Sequence, residues 1–115
     1  MSELLGIARF KFHEGKVEEF KRLSAQAMEI VRTKDSGTLQ YDIYLNDDES
    51  ECMVIERYRD SEALIEHFEN VGELFDPIFE TVSVVHGEIL GEVNEALRAN
   101  LADSPVQLFR PHRSM

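Results

Sequence analysis

The chain carries one cysteine, Cys52, in 115 residues. That excludes an intrachain disulfide and any cluster of thiolate metal ligands. Basic residues are also scarce: 12 Lys and Arg stand against 23 Asp and Glu, for a net charge of −11. They are scattered, mostly beside acids, so neither nucleic acid nor an anionic membrane surface is an expected partner. No apolar run approaches a membrane span, and MSELLGIARF lacks the basic region and long apolar stretch of a secretory signal. A reducing, cytoplasmic location is expected. His13, His67, His86 and His112 have no metal-ligand spacing, and no glycine-rich phosphate loop occurs, so no metal is expected.

What the chain does contain is a phrase written twice. Ile7 to Phe20 (IARFKFHEGKVEEF) aligns without a gap on Ile55 to Phe68 (IERYRDSEALIEHF) at an offset of 48. Ile7/Ile55, Arg9/Arg57, Glu14/Glu62, Glu18/Glu66 and Phe20/Phe68 are identical. Each copy reads as a strand feeding an amphipathic helix, which predicts two β–α units with pseudo-symmetry. The copies differ at Ala8 against Glu56 and at Glu19 against His67.

Along the chain, hydrophobic period predicts a strand over Leu4 to Phe12 and a helix over Lys16 to Lys34, stopped by a left-handed Gly37. A hairpin follows, Thr38 to Leu45 and Glu51 to Arg59. Asp60 caps a second helix that Gly72 interrupts, with a short continuation from Leu74. Val84 to Gly91 is the fourth strand, Asn94 caps a short helix, and Val106 to Arg110 is a late fifth strand. The order β-α-β-β-α-β predicts an α+β, ferredoxin-like antiparallel sheet with helices on one face. One domain is expected over residues 1–115, its core at 4–92 and a C-terminal arm of helix and strand at 93–115. The other sheet face is expected to display Ala8, Phe10, Tyr44, Val54 and Tyr58. That surface is too apolar to stay wet, which predicts a homodimer through the sheet face, with the fifth strand as an arm toward the partner.

Three motifs resemble the antibiotic-biosynthesis monooxygenase family of the dimeric α/β-barrel superfamily. They are Gly15-Lys16 followed by Phe20, Gly37 followed by Tyr41, and the run Glu56-Arg57-Tyr58-x-Asp60-x-x-Ala63-Leu64-x-x-His67. The resemblance covers roughly residues 4–85 and implies a cofactor-independent monooxygenase that oxidises a quinol or polyketide-like aromatic. Tyr58 stands where several oxygenase members carry tryptophan, a residue this chain lacks. The related haem-degrading enzymes match less well, because Ala8 stands at their first-strand Asn.

Such an oxygenase needs a base, a donor for a developing oxyanion and apolar walls. His67, Glu56 and Tyr58 are the candidate catalytic residues. His67 is the base, since only imidazole titrates near neutrality unaided. Glu56 must be paired or neutral if buried, with Arg9, Arg57 or His67 as expected partners. Phe10, Tyr44 and Val54 are the candidate substrate-binding residues, and no cofactor is expected. The competing reading is a non-catalytic, small-ligand-binding or stress-associated dimer, with His67 an ordinary helix histidine and the aromatics interface filling.

Overall fold

Ile7 lies directly opposite Ile55 in the antiparallel pairing of the first and third strands. The two copies of the repeated phrase therefore meet at their own equivalent residues, about a local two-fold axis between those isoleucines. The computed structural model describes residues 3–115. Its elements are β1 (Leu4–Phe12), α1 (Val17–Lys34), β2 (Thr38–Leu45), β3 (Glu51–Tyr58), α2 (Ser61–Phe79), β4 (Val82–Leu90), α3 (Glu95–Asn100) and β5 (Gln107–Phe109). The sheet is open, in the order β2-β3-β1-β4-β5. This is the ferredoxin-like α+β arrangement.

Local chemistry accounts for the helices. Gly15, at φ +74°, turns the chain out of β1, where a side chain would be strained. Phe20, Leu23, Ala27 and Val31 then recur at helical spacing as the buried stripe of α1. Asp60 caps α2 by accepting from the Ala63 amide, and Asn94 caps α3 by accepting from that of Leu97. α2 buries Leu64, His67 and Val71. α3 delivers Leu97, and its C-cap residue Leu101, to a cluster with Leu4, Tyr58, Ala63, Leu64 and Ile89. Each such apolar side chain contributes roughly 1.5–3 kcal/mol on full burial.

Four expectations change. α2 is continuous through Gly72 and Pro77, because Val71, Leu74, Phe75 and Ile78 keep one packed stripe against α1. Gly37 is not left-handed; α1 ends instead as Asp35 turns extended, at φ −74° and ψ 134°. β5 joins its own sheet, parallel to β4, with Leu108 opposite Ile89, so the sheet is mixed. The faces also differ. Val54 and Tyr58 are buried in clusters that Ala8 and Phe10 adjoin, under the helices. Of the five residues expected on the open face, only Tyr44 lies there, 56% exposed. Strands of β1 type are apolar at both parities, so composition alone does not say which parity turns inward.

Candidate functional site

On the helix side of the sheet, β2, β3 and β1 place Tyr41, Glu56 and Gly6 in one cross-strand row. Tyr58 follows Glu56 by two residues, hence on the same face, and its hydroxyl donates to the Glu56 carboxyl. α2 lowers His67 onto this row. The His67 ring centroid is 5.3 Å from that of Tyr58 and 5.6 Å from that of Tyr41. His67 is only 3% exposed.

Asp35, just past α1, anchors the histidine. Its Oδ2 lies 2.9 Å from His67 Nδ1 and accepts from the Thr38 hydroxyl at 2.7 Å. Its Oδ1 accepts from Asn70 Nδ2 at 2.8 Å. A carboxylate only accepts, so Nδ1 carries a hydrogen, and in the neutral ring the lone pair is then on Nε2.

His67 Nε2, Glu56 Oε2 and the Tyr41 hydroxyl have no hydrogen-bond partner among the described residues. Burial pushes the Glu56 carboxyl above its ordinary range, against the opposing pull of His67 and the Tyr58 hydrogen bond. Burial, then the nearby Glu56 charge, raises both the Tyr41 and Tyr58 phenols, so both stay protonated donors.

The walls are aromatic. From His67, ring contacts run to Phe75 at 6.4 Å, on to Phe79 at 6.1 Å, and from Phe79 to Phe10 at 5.9 Å. Phe79 is 45% exposed, so this row connects the surface with the histidine. The structure thus brings Glu56, Tyr58 and His67 together and sets Phe10 and Val54 on the same sheet face, while Tyr44 points away. Arg9 pairs with Glu51 and Arg57 with Glu3, so neither expected arginine meets Glu56. Asp35 and Tyr41 are additions. Asp35 sits in a generic helix-ending run, where the one signal is Thr38 three residues on; Tyr41 is marked only by alternation. Among the described residues no group of three or more His, Cys, Asp or Glu is placed to hold a metal, and no helix is long and apolar enough to cross a membrane.

Comparison with known proteins agrees with this architecture. No curated protein sequence matches the chain. The crystal structure of MupZ from Pseudomonas fluorescens is similar at a TM-score of 0.85 and 28% identity, covering 98% of this chain and 88% of that one. Rv0793 from Mycobacterium tuberculosis is similar at a TM-score of 0.68 and 26% identity, over 82% of this chain and 98% of that one. SnoaB from Streptomyces nogalater, a cofactor-independent oxygenase, shares the fold at a TM-score of 0.66 and 16% identity, over 76% of this chain and 89% of that one. The family model for antibiotic biosynthesis monooxygenase matches residues 5–72. The chain belongs to the antibiotic biosynthesis monooxygenase family.

Proposed function

We propose that the protein is a cofactor-independent monooxygenase acting on a quinol or a polyketide-like aromatic, with His67 as its base. The observation that carries this reading is the Asp35–His67 pair beside Glu56–Tyr58 in an otherwise apolar interior. Asp35 holds the imidazole with Nε2 free to take a phenolic proton, as an acid does for a catalytic histidine elsewhere. Tyr41 stays protonated and donates to the substrate oxygen as charge gathers on it, while the Tyr58 hydroxyl stays committed to Glu56. Phe10, Phe75 and Val54 supply walls that keep the anion dry. The anion then gives an electron to O2, and the substrate itself supplies every electron the reaction needs. SnoaB, which shares the fold, is a cofactor-independent oxygenase.

The test is oxygen uptake by the aerobic protein with simple naphthoquinols. Uptake well above buffer is expected, falling about 100-fold or more in His67→Ala. A variant as fast as the parent would remove His67 from the reaction.

The protein is also proposed to work as a cytoplasmic homodimer. Ile7, Met53 and Ile55 lie on the sheet face away from the helices, and covering them with a second sheet would remove apolar area from water. Ile55→Glu is expected to yield monomers in sedimentation velocity.

A further inference from the structure

His13 lies just past β1, in the turn that leads to α1, and its ring is held at both nitrogens. Nδ1 is 3.0 Å from the Glu80 carbonyl oxygen, and Nε2 is 3.0 Å from the Ser83 hydroxyl. A carbonyl only accepts, so Nδ1 carries a hydrogen, and in the neutral ring the Nε2 lone pair accepts from Ser83. The main chain fixes the same residue. The His13 amide donates to the Thr81 carbonyl at 2.9 Å, and its carbonyl accepts from the Lys16 amide at 3.1 Å. A hydroxyl bonded to a histidine whose other nitrogen is oriented by a third group is the arrangement that activates a serine.

Ser83 is exposed, as are Val84 and Val85 after it, so a substrate reaches the hydroxyl from solvent without entering the interior. Lys11 pairs directly with Ser83 across β1 and β4, which sets the two side chains on one face. Its exposed ammonium is a cation for an oxyanion formed at Ser83.

We propose that Ser83 and His13 form an acyl-transfer dyad that hydrolyses aryl esters of short-chain acids. An acyl group on so open a surface is held on one side only, which favours a small acyl chain and a leaving group that departs with little help. Ser83 Oγ bonds to the ester carbonyl carbon as its proton passes to His13 Nε2, and the carbonyl π pair moves onto oxygen, facing Lys11. That pair returns as the bond to the aryl oxygen breaks, and the aryl oxide takes the proton from Nε2. Water then loses a proton to Nε2 and attacks the acyl-serine, and Oγ leaves with that proton. Nothing is oxidised or reduced, and the role of His67 is not involved.

The experiment is hydrolysis of p-nitrophenyl acetate, followed by nitrophenolate absorbance, with peptide mass spectrometry of the acid-quenched protein. The parent is expected to turn over the ester about 100-fold faster than free imidazole at equal concentration, and to carry an acetyl group on Ser83. Ser83→Ala and His13→Gln should each lose both the acceleration and the label. Ser83→Cys keeps a nucleophile on the same base and should keep both. His86→Gln, at an exposed histidine of the same strand, should change nothing. Ser83→Ala removes only a surface hydroxyl, so a lost rate in that variant reports chemistry, with an unchanged circular dichroism spectrum as the check. Hydrolysis at the parent rate in Ser83→Ala overturns the proposal, because the imidazole would then act alone. A parent no faster than imidazole overturns it, as does acetyl found on lysines with Ser83 unmodified.

Discussion

Asp35 and His67 are 32 residues apart in the chain and 2.9 Å apart in space. Three donors, from Thr38, His67 and Asn70, converge on the two oxygens of Asp35. Its side chain is 1% exposed, so no water replaces a lost partner. The pair ties the end of α1 to the middle of α2, joining two helices through the residue that sets the tautomer of the histidine.

Asp35→Asn keeps the volume but breaks that arrangement. Whichever way the amide turns, its NH2 meets either Asn70 or the Thr38–His67 side, donor against donor. Leaving a buried donor unpaired costs about 1–3 kcal/mol, which a urea titration would register. Activity is expected to fall roughly 10- to 100-fold, as when a partner orienting a functional histidine is lost. Nitrogen-15 shifts of His67 should also show protonation moving from Nδ1 toward Nε2. Unchanged shifts would mean that the new amide turns its oxygen, not its NH2, toward His67.

How far the sequence reveals this arrangement depends on the kind of information involved. The bounds of β1 and β2 follow from turn residues and hydrophobic period, and the repeat locates the β1–β3 pairing. The inward faces of β1 and β3 are not legible, since Leu4, Leu5, Ile7 and Ala8 are apolar at both parities. Gly72 looks like a helix break because local propensity says nothing of the packed stripe that overrides it. Glu56, Tyr58 and His67 stand out as polar or titratable residues on otherwise apolar elements. Asp35 does not, because its meaning is a contact with residues 32 and 35 positions away.

Gly37 matters for closeness rather than for φ. A Cβ built there would stand 2.5 Å from the Ala63 Cβ, in the first turn of α2. Gly37→Ala should therefore lose about 1–3 kcal/mol by overpacking, with activity falling as the Asp35 segment shifts. Adding Ala63→Gly removes the opposing methyl and should recover part of the melting temperature. A double variant no more stable than Gly37→Ala would place the strain elsewhere.

Cys52 is 1% exposed, and burial pushes its thiol up to about 11. At pH 8 the thiolate is then scarce as well as shielded. Iodoacetamide should leave the native protein unlabelled at that pH and modify it fully in guanidinium chloride. Fast native labelling, read by mass spectrometry, would contradict the packing of Cys52 against Phe20 and Val54.

Glu56 makes stability depend on pH in a direction opposite to that of a paired carboxylate. Its ordinary value is 4.5, and burial raises it in the folded protein. Above 4.5 the unfolded chain loses this proton while the folded protein still holds it. Folded protein then binds more protons than unfolded, and stability declines as pH rises toward the folded value. The stabilisation is complete below 4.5 and lost as pH passes through the raised value. Glu56→Gln has no proton to lose there. The melting temperature of Glu56→Gln minus that of the parent should therefore increase with pH from 4.5 upward and level off once the parent carboxyl has ionised. A difference that stays flat across that window, or falls, would mean that Glu56 ionises in the folded protein as readily as in the unfolded chain.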